Sequence, residues 1–349
     1  MNRRDLLKSI MAASLVTALP PALMGSVAAV GAEHIIKPPH LKITQKIMLI
    51  APARSIFNED TVRIAEEVIR GLKLQPVRAK HLMTRNGYLA GTDKQRADDI
   101  NAAFADPEIS GIFAIAGGWG SARTLSLLDY TLIERNPKVI MGYSDITALL
   151  NAIHHKTGIV TFHGPNASSV WNSFSTKSAR AHLFIAGKPV YKNPRSRHNS
   201  LAIRNFRTQT IVGGKARGRL VGGNLSVFTS LIGTPYMPSL KGKILFLEDV
   251  GESIYRVDRM LNTLSLAGAF SEAAGIVFGS FKDVKPDGDG YGNLALMDLF
   301  NRYCKEAGKP SFYGAMFGHI DNNHTMPIGI RVAIDANAGS IEFLEKSVQ

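Results

Sequence analysis

Apolar residues in this chain fall into short strand-length runs that alternate with stretches of helical spacing. "KIMLIAPAR" is an apolar run ending at Pro52, and "NEDTVRIAEEVIRGLK" follows it with acidic capping residues and apolar positions three and four apart. That pair predicts a strand and then a helix. The pairing recurs through "PVRAK" and "DKQRADDINAAFAD", "GIFAIAGG" and "SARTLSLLDY", "KVIMGYS" and "DITALLNAIHHKT", and closes on "GIVTFHGP". Such alternation predicts a parallel sheet with helices on both faces, a Rossmann-like α/β domain over residues 45–188. In sheets of this kind the binding crevice lies beyond the carboxyl ends of the strands. Three of those ends, "AGGWGS", "MGYSD" and "TFHGP", are rich in glycine, small hydroxyl residues and histidine.

The pattern breaks near Pro189, where the polar, basic "YKNPRSRHNS" predicts a linker over residues 189–210. Beyond it "GRLVGGNLSVFTSLIGTPY", the strand "KILFLEDV", the helix "IYRVDRMLNTLSLAG" and the strand "GIVFGSF" predict a second, mixed α/β domain over residues 211–349. Two domains are expected in any case, because a chain of 349 residues exceeds the size at which one core keeps growing.

The first residues follow another pattern. Arg3, Arg4 and Lys8 precede an uncharged stretch from Ser9 to Gly31 with small residues at its end, which predicts an export signal over residues 1–32 cut after Ala29 or Ala32. The paired arginines resemble the signal read by the twin-arginine machinery, which exports folded proteins, and the expected location is the periplasm, or its membrane if the signal stays attached. Removing residues 1–32 takes away Arg3, Arg4, Lys8 and Asp5, so the formal charge falls from +13 to +11. A basic surface suits cell-wall polyanions; no base-stacking signature accompanies it, and nucleic acid is set aside. Cys304 is the single cysteine, placed on a helical pattern as a small apolar residue, and no internal disulfide is available.

Ser144 stands between a strand and a helix, where serine is a preferred N-cap, and the local sequence favours that role. Gly142 before it allows a tight strand-to-helix turn that would present Oγ as a nucleophile, although the second glycine of such an elbow is replaced by Ile146. "AGGWGSAR" imitates a dinucleotide loop but carries Arg123 where a third glycine belongs. Its glycines suit a backbone whose N–H groups meet a developing negative charge. "LFLEDVGE" ends a strand in Glu248 and Asp249, and His319 and His324 lie five apart in a glycine-bounded loop, a spacing that matches no metal-ligand pattern. Asp287 to Asp298 imitates part of a calcium loop without its closing glutamate and reads as a surface turn.

Together these pieces resemble the LD-carboxypeptidases, serine peptidases that trim the tetrapeptide of bacterial cell-wall fragments. The likeness rests on "AGGWGSARTL", "GYSDITALL", "TFHGP", "GGNLSVFTSLIGTPYMP", "LFLEDV", "YRVDRML", "GSF" and "FGH" with "PIG" after it. It implies Ser144 as nucleophile, His319 as general base, Glu248 as the carboxylate that orients it, and the N–H groups of Gly118 and Asp145 as an oxyanion hole. It also implies a carboxy-terminal domain of swivelling β type, often a homodimer, and no cofactor or metal. With the serine in one domain and its partners in the other, catalysis is expected to depend on domain closure. Ala116 and Trp119 stand where the family's cell-wall enzymes commonly carry arginine and tyrosine.

The reaction implied is removal of a terminal D-alanine from a peptidoglycan tetrapeptide, with Trp119, Arg123 and Arg256 as candidate substrate-binding residues. Two other readings are open. One is a relative of the microcin self-immunity peptidases acting on aminoacyl-nucleotide amides, where Trp119 would stack on a base. The other is a periplasmic muropeptide-binding protein that kept the fold without the chemistry.

Overall fold

The structure, a computed structural model, describes residues 34–194, 206–288, 292 and 294–349. The export signal read in residues 1–32 lies outside the described residues, as do residues 195–205 of the basic stretch.

The first half builds the expected alternation: β1 (Lys46–Ile50), α1 (Glu59–Gly71), β2 (Gln75–Arg78), α2 (Asp93–Ala105), β3 (Ile109–Ala114), α3 (Tyr130–Arg135), β4 (Val139–Gly142), α4 (Ile146–Thr157), β5 (Thr161–His163) and α5 (Ser173–Leu183). Local chemistry sets the boundaries. Asn58 accepts a hydrogen bond from Asp60 N–H to start α1, Thr92 and Gln95 form a reciprocal capping box on α2, and Gly158 at φ 75° ends α4. The second half adds β6 (Val190–Lys192), β7 (Gln209–Val212), β8 (Lys215–Asn224), α6 (Leu225–Thr229), β9 (Ile244–Val250), α7 (Ile254–Leu266), α8 (Ala269–Glu272), β10 (Gly275–Lys282), α9 (Leu296–Ala307), β11 (Ser311–Tyr313), β12 (Met326–Ile328), β13 (Arg331–Asp335) and β14 (Ser340–Phe343).

The first sheet has the order β12-β5-β4-β3-β1-β2. Its first five strands in sequence run parallel, and the order reverses between β1 and β3, which opens a crevice at the carboxyl ends of those strands. β12 comes from the far end of the chain and pairs antiparallel with β5, with Met326 opposite His163. The second sheet has the order β6-β14-β13-β8-β9-β10-β11-β7, parallel from β8 to β11 and antiparallel at both flanks. The stretch expected as a linker therefore supplies the edge strand β6 and the first residues of the other edge strand, β7, and Tyr191 and Ile211 are buried at the rims of that sheet.

Side chains of the second sheet alternate between two cores, as a pleated strand requires. Leu220, Ile244, Phe246 and Val277 join the core shared with the first sheet, whereas Val221, Leu245, Leu247 and Phe278 pack with α7 and α9, where Cys304 lies fully buried. Residues 35–349 form one compact unit. The two halves stand closed on each other in this structure.

Between the halves, side chains of α4 bind the backbone of β8. α4 is buried nearly all round, and its Asn151 bridges to β8, with Nδ2 donating to the Gly222 carbonyl at 2.8 Å and Oδ1 accepting from Gly222 N–H at 3.4 Å. One turn earlier on α4, Thr147 Oγ1 accepts from Asn224 N–H at 3.0 Å. A Cβ on Gly223 would come within 2.6 Å of Thr147 Oγ1, and one on Gly222 within 1.9 Å of the Phe246 carbonyl oxygen, so the "GGN" sequence is what lets strand and helix approach.

At the β6 edge the Tyr191 hydroxyl donates to the Thr325 carbonyl at 3.0 Å and lies 2.7 Å from both Ser178 Oγ and His182 Nε2. His324 stacks on Tyr191, ring centroids 3.6 Å apart. Burial pushes both His182 and His324 down to about 3, with each other's proximity adding to the effect on His182.

Two measurements follow from this packing. Asn151→Ala removes both bridges to Gly222 and is expected to lower the unfolding free energy by about 1–3 kcal/mol in urea titrations; an unchanged midpoint would mean the halves dock without it. The buried histidines refuse protons that the unfolded chain takes up from about pH 6.5 downward. Their contribution is therefore complete above that pH and declines as pH falls toward 3, by about 1.4 kcal/mol per pH unit for each histidine. His324→Phe should accordingly show a shallower fall in Tm between about pH 6.5 and 5 than the parent; identical slopes would contradict the assignment.

Candidate active site

The carboxyl ends of β3, β4 and β5 meet the ends of β9 and β10 around Ser144. β4 stops at Gly142, where a Cβ would press within 2.8 Å of Ile146 and 2.9 Å of Asn166 Oδ1. The chain then turns so sharply that Ser144 takes φ 64°, a left-handed conformation that a residue with a Cβ rarely adopts. Strain of this kind costs about 1–3 kcal/mol and persists where the surroundings enforce it. Here Asn166 holds the Tyr143 N–H at 3.1 Å, and the Ser144 carbonyl accepts from Thr147 N–H at 2.9 Å. The cap favoured by the local sequence is not formed: Asp145 occupies the cap position of α4, and the Ser144 side chain points elsewhere.

It points at His319, whose Nε2 lies 3.1 Å from Ser144 Oγ. The other ring nitrogen, Nδ1, is 2.7 Å from Glu248 Oε2. Glu248 sits on β9 beside Asn224 of β8, fully buried. Burial alone would raise its carboxyl, but His163 and His319 outweigh that and hold it below the ordinary carboxylate range. His163, at the end of β5, places Nε2 3.8 Å from Glu248 Oε1, within electrostatic reach and beyond a hydrogen bond.

Glycines bring His319 into position. Gly318, at φ 108°, would strike Glu248 Oε2 at 2.6 Å if it carried a Cβ, and Gly279 of "GSF" would strike the Phe317 ring at 2.4 Å. Ser280 N–H then holds the Phe317 carbonyl at 3.0 Å, and Asn323 Oδ1 accepts from Gly318 N–H at 3.0 Å. Asp249, the second acid of "LED", is buried and binds the start of α6 through Asn224 and Ser226; burial and the neighbouring Glu248 push it up to about 6.

The glycine loop after β3 is fastened from two sides. Arg96, buried on α2, donates to the Pro52 carbonyl at 2.6 Å and the Gly120 carbonyl at 2.7 Å. Asp145 accepts from Ser121 N–H at 2.8 Å through its carboxylate, and its backbone carbonyl accepts from Ser121 Oγ. Gly117 packs so closely that a Cβ would come within 2.8 Å of Ser144 Cβ, and Gly118, at φ 121°, would strike Arg54 at 2.6 Å. The N–H groups of Gly118 and Asp145 find no acceptor among the described residues.

The substrate-binding candidates fare differently. Trp119 is 63 % exposed in the same loop and meets Tyr88 edge-on at 6.2 Å, free to take a ligand face. Arg123 is paired with Asp93 at 3.0 Å, and Arg256 lies on the surface of α7 against Tyr255 and Glu252, so neither is drawn to the serine. Each satisfies its fork with a neighbour on its own side of the molecule. His324 is occupied by Tyr191, apart from His319's partners. Burial pushes the Cys304 thiol up to about 12. Asp298 caps α9 by accepting from Ala295 N–H, and residues 289–291 and 293 of the calcium-like stretch lie outside the described residues.

Sequence reasoning missed a cavity of about 320 Å³ beside the serine, lined among others by Tyr143, Ser169, Lys282, His319 and Asp321. Tyr143 tilts against the His319 ring at 4.8 Å, and burial raises its phenol. The signal was present, since Tyr143, Lys282 and Asp321 each stand within two residues of a quoted motif.

Residues 47–164 match the family model for the LD-carboxypeptidase N-terminal domain, and residues 217–334 match that for the C-terminal domain. The probable murein peptide carboxypeptidase of Bacillus subtilis is 37% identical over 303 residues, covering 86% of this chain and 91% of that protein. The murein tetrapeptide carboxypeptidase of Pseudomonas aeruginosa is 30% identical, covering 84% and 94%. Among solved structures, an MccF-like protein from Bacillus anthracis superposes with a TM-score of 0.78 at 31% identity, covering 89% of this chain and 99% of that one. Both domain models match in order and the relatives align over nearly their full length, so this chain belongs to the LD-carboxypeptidase family and is an enzyme of it.

Proposed function

We propose that the protein is a serine LD-carboxypeptidase that removes the terminal D-alanine from tetrapeptide stems of peptidoglycan or its fragments. The observation that carries this is the row Glu248–His319–Ser144, hydrogen-bonded end to end, with the serine on a strained turn. The names of the Bacillus and Pseudomonas relatives support murein peptides as the substrate class, and an export-type leader supports action in the periplasm.

In this reaction Ser144 Oγ attacks the carbonyl carbon on the L-configured centre of the third residue while His319 Nε2 takes its proton. Glu248 stays ionised, accepts from Nδ1–H and offsets the charge gained by the imidazole. The carbonyl oxygen becomes an oxyanion received by the N–H groups of Gly118 and Asp145. His319 then protonates the amide nitrogen, the carbon–nitrogen bond breaks and D-alanine leaves. Water, deprotonated by His319, attacks the ester on Ser144, and the serine recovers its proton as the tripeptide departs.

A second reading draws on the MccF-like neighbour and on exposed Trp119, which could stack on a base. It predicts cleavage of an aminoacyl sulfamoyl adenosine in place of the tetrapeptide.

Purified protein offered both compounds is expected to release D-alanine from the tetrapeptide, read by mass, and to leave the nucleotide intact; the reverse selectivity would transfer the assignment to the second reading. Ser144→Ala should lower kcat by at least about a thousandfold with the fold unchanged. Binding of tetrapeptide without any turnover by the parent protein would instead favour a binding protein.

A further inference from the structure

Glu248 has two carboxylate oxygens, and the triad uses one of them. Oε2 meets His319 Nδ1 at 2.7 Å, whereas Oε1 is buried without a hydrogen-bond partner among the described residues. Facing Oε1 at 3.8 Å is Nε2 of His163, a ring fully buried whose two nitrogens likewise have no hydrogen-bond partner among the described residues. Leaving an imidazole N–H and a carboxylate oxygen both unpaired in an interior is costly, and structures keep few such groups. The fold sets this one in place from several sides. His163 ends β5 opposite Gly142 of β4, the last strand residue before the serine turn. Phe246 of β9 meets its ring edge-on at 5.5 Å, and Tyr143 does so at 6.2 Å. A Cβ on Gly223 would press within 3.1 Å of His163 Cδ2, so that glycine also leaves room for the ring.

We propose that His163 is a positioning residue of the triad, its Nε2–H directed at Glu248 Oε1 so that the carboxylate stays ionised with Oε2 turned to His319. The proposal rests on the triad of the preceding section and not on the choice of substrate. At 3.8 Å in an apolar interior an oriented N–H still stabilises an anion, although less than a hydrogen bond would. Glu248 has to keep one orientation while His319 gains a proton and passes it on, once in forming the acyl-enzyme and once in its hydrolysis. Without a donor on the far side, both oxygens compete for Nδ1–H and the carboxylate holds a proton more tightly. The Glu248–His319 pair then releases its proton at higher pH, and the neutral imidazole that deprotonates Ser144 is reached later in an alkaline titration. The shift of Glu248 has the matching sign, since burial raises its carboxyl and the two histidines bring it down. The other titratable groups about the pair are Tyr143 from the turn after β4, Asp249 from β9 itself, and Lys282 and Asp321 on the cavity wall beside His319. All four are common to the parent and to the variants below, so a comparison among them isolates His163.

The test measures kcat, KM and the pH profile of kcat/KM for the parent, His163→Phe and His163→Gln on whichever of the tetrapeptide and the aminoacyl sulfamoyl adenosine the parent cleaves. Phenylalanine keeps an aromatic ring without the donor, and the glutamine amide places an N–H near the position of Nε2. His163→Phe is expected to lower kcat about 10- to 100-fold, to change KM less than about threefold, and to move the acidic limb of the profile up by about 0.5–1 pH unit. His163→Gln is expected to restore the profile and most of kcat. Should His163→Phe fail to fold, judged by Tm, His163→Asn replaces it, since its shorter amide stops before Oε1. Equal losses in the two variants with the acidic limb unmoved would overturn the proposal and leave His163 a packing residue, as would a His163→Phe protein with the parent's kcat and profile. Cleavage of the nucleotide alone would overturn the tetrapeptide reading and leave this test intact; a parent that cleaves neither compound would overturn the triad and this proposal with it.

Discussion

The site depends on the docking of α4 against β8. Ser144 stands on the turn just before that helix, and Glu248 lies on the strand hydrogen-bonded to β8, opposite Asn224. Thr147 and Asn151 grip the backbone of Gly222 and Asn224 one and two turns from the serine. A slip along this contact would move Oγ relative to the imidazole by a large fraction of a hydrogen-bond length. Because two short side chains of the helix bind directly to backbone atoms of the strand, and bare glycines leave no room for another register, the contact fixes how the two halves are aligned.

Asp145 shows how economically the glycine loop is held. Its N–H finds no acceptor among the described residues, while its carboxylate and carbonyl tie Ser121 at the far end of the loop. One residue thereby sets both donors of the proposed oxyanion hole, its own and that of Gly118. Burial raises the Asp145 carboxyl, and the hydrogen bond from Ser121 and the nearby Arg96 work against that rise. Arg96 completes the scaffold by joining the loop to the end of β1.

Much of this was legible in the chain because its signals are local. The alternating runs gave the first sheet, and Gly142, Gly118, Gly222 and Gly318 each mark a close approach that only glycine allows. What stayed hidden is non-local. Nothing near "MPI" says that Met326 pairs with His163, and nothing in "YKNP" says that Tyr191 is buried beneath His324. The charges of Arg123 and Arg256 suggested substrate contacts, yet nearby Asp93, Tyr255 and Glu252 hold them at the surface. Lys282 and Asp321 went unnoticed because the cavity they line is recognisable only once the elements around it are placed.

The strand β12 bears on how such a protein is made. Its three residues, Met326 to Ile328, finish the first sheet along the edge of β5, although the strands they join were all complete by residue 163. A ribosome therefore delivers almost the whole polypeptide before the amino-terminal sheet can acquire its last strand, and the sheet edge beside His163 stays open throughout synthesis. Completion of that sheet is in this respect a post-translational event, however early its other strands pair.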